Sequence, residues 1–342
     1  MSIPHDITKD QVSLADRIAS IQGTYNSHRG AAIQQTNTST EVKPIMKELR
    51  YPQGDLFIAD LYSISNLFGD MASLEFPIFA LQSTKTAKTF IRDRDGLKLT
   101  ISPGTDPNKP EELLSIPTIY DADIWVYAIS KLLKAADEGK PLRRTIRFTA
   151  YDFLVTTERS TGKMEYDRLL LSLQRLSRSK LRTTHEWREH INHAKFEVCE
   201  RKEIKEFGFI DAFSIGRKTI IRKGKETTIM DYISITLPEW LFKAVELRAV
   251  LKLSPDYFRI DKPLHRRLYE LARKHCGNQP AVTIALELLR EKAGSTSALK
   301  LFKHQIKQVQ AAGDLPDYQY TLNEATNIVT ISRKKQQVAH EA

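Results

Sequence analysis

The chain has 342 residues, of which 41% are hydrophobic, so it is long enough for two domains that each bury a core. It contains only two cysteines, its N-terminus lacks the basic-then-apolar pattern of a signal peptide, and no apolar run approaches the roughly 18 residues of a membrane helix. These features argue against a disulfide-rich secreted protein and a membrane protein, and they predict a cytoplasmic location.

The net charge of +10 is unevenly distributed along the chain. Residues 140–225 carry a net charge of +10 and residues 262–313 carry +7, whereas residues 51–139 carry −5. Phosphate backbones are the usual partners of such basic regions, and their binding weakens steeply with salt. The alternative interpretation is a basic surface that serves only solubility.

The N-terminal part of the chain is polar, rich in Thr, Gln, Ser and Asn, and shows no sustained period. This composition predicts a flexible segment over residues 1–52, with a short helix near Val12–Gln22. Order is expected from about Gly54 onwards.

The next patterns indicate short strands. Leu74–Leu81 is apolar, but Pro77 within it restricts the segment to an edge strand. Thr89–Arg92 and Leu97–Ile101 flank an Asp-Gly pair, and this arrangement predicts a β-hairpin.

Two helices are well marked after the hairpin. The first is expected from Asp121 to Asp137, with Gly139 as its C-terminal stop. The second is short, with Thr149 as its N-cap, and Phe148 is expected to pack against Phe153 across the start of this helix.

A Ser-Thr-Gly turn then leads into a longer helix, predicted over Met164–Arg182. At about 100° per residue, leucines occupy one side of this helix and arginines the other. The basic side consists of Arg168, Arg175, Arg178 and Arg182.

Strands are predicted after this helix at His193–Glu200, Phe207–Ile215 and Thr228–Thr236, with a hairpin tip at Arg217–Lys225. Three helices followed by a β-hairpin are typical of a winged helix, here with an enlarged wing.

The same order of elements recurs further along the chain, after a bridging helix at Pro238–Leu247. The predicted elements are Pro263–Cys276, Leu286–Lys292, Ser297–Ala312, Tyr318–Leu322 and Ile328–Ser332. The sequence therefore predicts an α+β fold with two tandem winged-helix domains, the first with an enlarged sheet. Their predicted limits are residues 53–236 and 237–335, with a tail at 336–342.

The second long helix also has two distinct faces. Its predicted apolar face consists of Ala298, Phe302, Ile306 and Val309. Its other face and N-terminal end offer Ser297, Lys300, Lys303, His304, Lys307 and Gln308. No acidic residue occurs between Ser295 and Gly313, so this face suits the major groove of DNA, where such side chains bond guanine, adenine or phosphate.

Other cations lie near these helices and are predicted to hold phosphates. They are Arg143, Arg144, Arg147, Arg217, Lys218, Arg222, Lys223, Arg333, Lys334 and Lys335. One basic amphipathic helix is usually only a solvated face. Two such helices, each after a short helix and a turn and each followed by strands, favour double-stranded DNA as the partner.

Catalytic motifs are weak by comparison. His185 and His190 miss the HExxH zinc spacing by one residue, and with His193 nearby they leave a metal site as a minor alternative. The sequence contains no GxxxxGK[ST] loop and no HxH pair. We therefore expect a protein that is not an enzyme and that needs no metal or cofactor.

The segment KPLHRRLYELARKHCGNQ (Lys262–Gln279) closely resembles a motif of plasmid-encoded replication initiators of the replication initiator protein A (RepA) type. Further segments resemble that family in the expected order: GDLFIAD (54–60), SLEFPIFAL (73–81), IYDADIWVYAISKL (119–132), TTERSTGKMEYDRLLLSLQRL (156–176), FGFIDAF (207–213), ISITLPEWL (233–241), LSPDYFRIDKP (253–263) and LPDYQY (315–320).

The resemblance implies tandem winged helices that bind repeated origin sequences, open an AT-rich region and recruit the host helicase loader and helicase. It also implies a monomer–dimer equilibrium, in which dimers repress synthesis of the initiator and monomers bind the origin. Ser297–Ala312 matches the family's C-terminal recognition helix. Met164–Arg182 matches the helix of the first unit, whose sheet is the usual dimer surface.

Two alternatives remain open at this stage. The first is a winged-helix transcriptional repressor that binds an inverted repeat as a dimer and never supports replication. The second is an enzyme, a nicking initiator that cleaves one strand of the origin in the presence of a divalent metal.

Overall fold

The structure is a computed structural model that describes residues 44–48, 50, 64, 66–92, 97–183, 204–222 and 225–334. Its helices and antiparallel strands make an α+β fold, as predicted, and the described residues belong to one compact unit.

The first described residues pack against the C-terminal part of the chain. Ile45 is fully buried, and the backbone N–H groups of Ile45 and Met46 donate to the Asp314 carboxylate at 2.8 and 3.2 Å. The prediction of a flexible segment over residues 1–52 is therefore wrong for this stretch, because one buried side chain and two hydrogen bonds hold it. The predicted helix at Val12–Gln22 lies outside the described residues.

A short strand and a short helix follow, β1 (Leu67–Asp70) and α1 (Met71–Glu75). The Asp70 carboxylate caps α1 by accepting hydrogen bonds from two amides of its first turn. The predicted strand Leu74–Leu81 is wrong, because this segment ends α1 and then runs irregularly, with only an isolated bridge at Ala80. Burial explains its apolar character.

The strands β2 (Lys88–Arg92) and β3 (Leu97–Ser102) pair antiparallel, which confirms the predicted hairpin.

The next elements form the first of two repeats. They are α2 (Ala122–Asp137), β4 (Thr145–Phe148), α3 (Ala150–Thr156), α4 (Lys163–Arg178), β5 (Lys180–Thr183), β6 (Lys205–Gly208), β7 (Ala212–Arg222) and β8 (Lys225–Thr236). One sheet has the strand order β4–β8–β7. The strands β5 and β6 join β2 and β3 in a separate sheet of order β2–β3–β5–β6, so the additional strands do not extend the first sheet.

The caps predicted for α3 are confirmed. The Thr149 hydroxyl accepts a hydrogen bond from the Asp152 amide at 3.1 Å, and the rings of Phe148 and Phe153 lie 6.1 Å apart.

The first basic helix ends earlier than predicted. At Ser179 the chain becomes extended, and Lys180–Thr183 continues as β5 instead of a further helical turn. Arg182 is therefore on a strand, where it is exposed between the buried Leu181 and Thr183. The helical period predicts Arg182 on the exposed basic side. The alternation of the strand also exposes it, so the two patterns agree by coincidence.

The hairpin that follows also differs in detail. The predicted strand Phe207–Ile215 is interrupted between β6 and β7. The predicted tip Arg217–Lys225 is too wide, because β7 and β8 remain paired out to Arg222 and Lys225. The predicted strand His193–Glu200 lies outside the described residues.

The second repeat follows a helix, α5 (Glu239–Glu246), the strand β9 (Val250–Leu253) and a 3₁₀ turn (Pro255–Arg259). Its elements are α6 (Pro263–His275), β10 (Ala281–Ala285), α7 (Leu286–Lys292), α8 (Leu299–Ala312), β11 (Tyr318–Asn323) and β12 (Ile328–Arg333). Its sheet has the order β10–β12–β11, so in both repeats the first strand pairs with the last.

A buried ion network joins the two repeats. The carboxylate of Asp123 in α2 accepts hydrogen bonds from Arg266 in α6 at 2.5 Å and from Arg159 at 2.7 Å. Arg267, the neighbour of Arg266, donates to main-chain carbonyls at the end of α1 and to Lys292 in α7. Both arginines lie in the basic region 262–313, yet they are only 2–3% exposed, so they stabilise the fold and add no surface charge.

One glycine in the turn before α8 is required by geometry. Gly294 has a φ of +66°, and a Cβ there would lie 2.7 Å from the Cβ of Pro77. We expect Gly294→Ala to lower the free energy of unfolding by about 1–3 kcal/mol in urea titrations, because a left-handed backbone and a steric overlap add. Gly277→Ala is the matched control, because Gly277 has a φ of +54° and a Cβ there would make only an ordinary van der Waals contact, 3.8 Å from the Arg273 carbonyl oxygen. Equal costs for the two variants would argue against the contact with Pro77.

Candidate nucleic-acid interface

The helix α8 has the two faces that the sequence predicts. Phe302, Ile306 and Val309 are buried. Lys300, His304, Lys307 and Gln308 are exposed on the other side, and Lys303 is half-buried. Ala298 had been assigned to the apolar face, but it is exposed at the N-cap position, because the helix begins at Leu299. No acidic side chain interrupts the exposed face.

The turn between β11 and β12 lies beside this basic face. Lys303 Nζ donates to Asn327 Oδ1 at 2.7 Å and to the Glu324 carbonyl at 3.2 Å, so it supports the turn. Lys307 Nζ lies 2.7 Å from a Glu324 carboxylate oxygen, and this hydrogen bond lowers the pKa of Glu324. Exposed ion pairs of this kind are weak, so the Lys307 ammonium group can leave the Glu324 carboxylate and bind a phosphate instead.

Polar groups complete the face at both ends of the helix. His304 Nε2 and Gln308 Nε2 lie 3.2 Å apart, one turn from each other. Ser297 is half-buried just before the helix, and its carbonyl accepts a hydrogen bond from Arg290 at 3.3 Å. The loop that leads into α8 is thereby fixed against α7.

The basic side of α4 is narrower than predicted. Arg168 and Arg178 are exposed, and Arg168 pairs with Glu165 on its own helix. Arg182 is on β5, as described above. Two of the four arginines thus remain as surface cations on this helix.

Arg175 does not belong to a free basic face. Its guanidinium donates to both carboxylate oxygens of the buried Asp121, at 2.6 and 2.9 Å, and to the Ser172 hydroxyl at 3.1 Å. The placement of Arg175 among solvent-facing cations is therefore wrong, because a helical projection does not reveal a carboxylate on a neighbouring element.

We expect Arg175→Met to lower the free energy of unfolding by about 3 kcal/mol in urea titrations. This loss lies at the low end of the range for a broken buried ion pair, because Thr118 still donates two hydrogen bonds to Asp121. Arg178→Met, one turn from Arg175, is the control and should leave stability unchanged. A stable Arg175→Met variant that loses DNA affinity would instead support direct contact.

Of the three arginines around β4 that are predicted to hold phosphates, two already contact other side chains. Arg143 is exposed, Arg144 lies 3.3 Å from Asp211, and Arg147 stacks on the ring of Tyr232 at 3.3 Å from its centroid. The stack places Arg147 on the outer face of the β4–β8–β7 sheet.

The remaining predicted cations do not converge on α8. Arg333 pairs with Tyr318 at the end of the β11–β12 hairpin away from its turn, and Arg333 is exposed. Lys334 follows it and is half-buried, and burial lowers its pKa. In the long β7–β8 hairpin Arg217 is exposed and Lys218 pairs with Asp231 at 2.6 Å.

In the part of the chain that the structure describes, no group of His, Cys, Asp and Glu side chains is placed to hold a metal ion. No helix in the same residues combines the length and apolarity needed to span a bilayer. His185, His190 and His193, as well as Lys223 and Lys335, lie outside the described residues.

Comparison with known proteins agrees with this architecture. The family described as Replication initiator protein A matches residues 69–320 of the chain. A putative replication protein of Wigglesworthia glossinidia brevipalpis is 37% identical over 281 residues, which cover 82% of this chain and 94% of that protein. Domains 2 and 3 of RctB share the fold with a TM-score of 0.53 at 11% identity, over 78% of this chain and 98% of the RctB chain. The chain therefore belongs to the replication initiator protein A family.

Proposed function

We propose that this protein initiates plasmid replication by binding repeated origin sequences (iterons) through two winged helices. In this proposal the bound protein promotes opening of the origin, recruits host replication proteins and represses its own gene. Membership of the initiator family supports the role in replication.

The order of elements supports winged helices in both repeats. Each repeat contains a helix, a strand, two further helices and a final strand pair, with the first strand next to the last. In such domains the third helix enters the major groove, which is wide enough to admit it, and the strand pair forms the wing. That position belongs to α4 in the first repeat and to α8 in the second.

The exposed basic face of α8 is the observation that carries the proposal. It presents Lys300, His304, Lys307 and Gln308 without an acidic residue on the helix, while the other face is anchored in the core. Lysine bonds guanine or phosphate, and glutamine bonds adenine, so this face combines affinity with base reading.

The first repeat is assigned a different part of the task. Arg168 and Arg178 are exposed and can contact the DNA backbone. Leu171 is 40% exposed among the cations of α4, and an apolar side chain at this position disfavours base reading there. The outer face of the β4–β8–β7 sheet, which includes the small residues Ala212 and Ser214, is proposed as the dimer surface in a monomer–dimer equilibrium.

Origin opening is proposed to need no catalysis, metal or cofactor from this chain. Its energy comes from binding, from bending of the DNA and from the recruited host proteins. The protein acts in the cytoplasm on plasmid DNA.

A plasmid that carries only the candidate origin tests the proposal. Supplying the protein in trans should maintain this plasmid in a permissive host, and an α8 variant that no longer binds DNA should not. Loss of the plasmid despite tight repeat binding would favour a transcriptional repressor. Reproducible strand-specific nicking of supercoiled origin DNA in the presence of a divalent metal would favour a nicking enzyme.

A further inference from the structure

A polar cleft lies between the start of α6, the turn before α8 and the strand β2. Its volume is about 230 Å³. The polar side chains that matter for its chemistry are Lys88, Lys262, His265, Ser295, Thr296 and Gln305. No carboxylate lines the cleft, although the charges of Asp261 and Asp314 reach His265 in its wall, so the lining itself carries only positive charge.

The two lysines come from different parts of the chain and have no counter-ion. Lys88 is on β2, and Lys262 immediately precedes α6. Within the part of the chain that the structure describes, neither ammonium group forms an ion pair. Lys88 is half-buried, and this burial lowers the pKa of its ammonium group. A cleft that two cations line without a carboxylate favours a bound anion.

Backbone and hydroxyl donors face the same space. The helix α6 begins at Pro263, and no side chain caps its first turn, whose residues Leu264 and His265 line the cleft. The N–H groups at the start of a 13-residue helix attract anions through hydrogen bonding and the helix dipole. Ser295 and Thr296 add two hydroxyl groups from the turn before α8.

Two buried polar atoms in the cleft wall have no partner among the described residues. One is Nδ1 of His265, a side chain that is 5% exposed, and the other is Oε1 of Gln305. Burial, together with the nearby Lys262, lowers the pKa of His265 to about 4, so its imidazole is neutral at pH 7 and can carry a proton on Nδ1. Rotation of the Gln305 amide would likewise present its NH₂ group. Buried polar atoms in folded proteins are normally hydrogen-bonded, so these two atoms are available to a bound group.

We propose that this cleft binds one phosphodiester group of the DNA that lies against α8, an inference that rests on the proposed function. Ser297 and Gln308 line the cleft, and Gln308 also belongs to the basic face of α8 while Ser297 immediately precedes that helix. A DNA strand that crosses this face therefore passes the mouth of the cleft. The phosphate would fix the register of α8 in the groove without reading a base.

A double-mutant cycle with modified DNA tests this proposal. Single methylphosphonates, which remove one backbone charge, are placed in turn along a duplex that carries the origin repeat. At one position the substitution should weaken binding of the unaltered protein roughly tenfold, but should have little further effect on the Lys88→Gln/Lys262→Gln variant. In that variant the slope of log K against log salt should also be shallower by about 0.9, because one phosphate contact is lost.

Lys85→Gln is the matched control, because Lys85 precedes β2, is exposed and does not line the cleft. It should keep the full sensitivity to every methylphosphonate. Additive effects of the Lys88/Lys262 substitutions at all positions would overturn the proposal. Saturable binding of ATP to the DNA-free protein, lost in the double variant while DNA binding is kept, would assign the cleft to a free nucleotide and also overturn it. Failure of the unaltered protein to bind the duplex would instead refute the proposed function itself.

Discussion

Replacing Asp123 with alanine is expected to lower the free energy of unfolding by about 3–5 kcal/mol, because the substitution leaves one buried and one half-buried guanidinium group without their carboxylate. The side chain of Arg266 is 4% exposed and that of Arg159 is 16% exposed in these ion pairs. The network links α2 of the first repeat to α6 of the second, so its loss weakens the fixed spacing of the two repeats as well as the fold. Urea unfolding measures the stability.

The matched control is Arg248→Ala, which breaks an exposed ion pair with Asp137, a residue 111 positions away in the chain. It should cost less than about 1 kcal/mol. Converting the buried pair to apolar side chains, as Asp123→Leu with Arg266→Met, should recover part of the stability that Asp123→Ala loses. Similar costs for Asp123→Ala and Arg248→Ala would contradict the importance of burial.

Substituting Lys300 and Lys307 together with glutamine is expected to weaken binding to origin repeats by about 2–6 kcal/mol, because both cations face the proposed DNA. The exposed ion pair of Lys307 with Glu324 adds little to the stability of the fold. Lys303 is left intact because it also holds the β11–β12 turn through two hydrogen bonds. Its substitution would change the structure of the turn as well as the binding of DNA. Fluorescence anisotropy at several salt concentrations measures affinity and the number of released counter-ions.

Glu324→Gln should have the opposite effect and tighten binding, because it frees Lys307 and removes a negative charge beside the DNA. Lys243→Gln is the control for the lysine substitutions, because Lys243 also forms a surface ion pair with a glutamate but lies on α5. It should leave the affinity for DNA unchanged. Unchanged affinity and salt slope in the Lys300/Lys307 variant would remove α8 from the interface.

Helix starts and helix faces were the features most readily predicted. The Thr149 cap and the limits of α7 follow from local residue preferences, and the buried positions of α8 follow from the helical period. These signals depend on neighbours within a few residues, so the sequence reveals them directly.

Short strands were missed because their stability depends on distant partners. β4 and β10 have only four and five residues, and each pairs with a strand far along the chain. β1 and β9 pair with each other across about 180 residues. Strands this short have too few positions for an alternating pattern to be distinguished from a loop.

The candidate site was predictable in its charge but not in its individual cations. Arg175, Arg266 and Arg267 lie in basic regions of the sequence, yet each is held by a buried acceptor on another element. The cleft beside α8 was not predicted, because Lys88 and Lys262 are 174 positions apart in the sequence and only the fold brings them together.

DNA cleavage by an iron chelate tethered to α8 tests the central claim most directly. The chelate is attached to a cysteine introduced by His304→Cys, in a background with Cys199→Ser and with the buried Cys276 left in place. The basic face of α8 lies in the groove in our account, so strand cuts should cluster at one position within each origin repeat. Cutting no stronger than that from a chelate at Glu111→Cys, or spread evenly along the duplex, would contradict it.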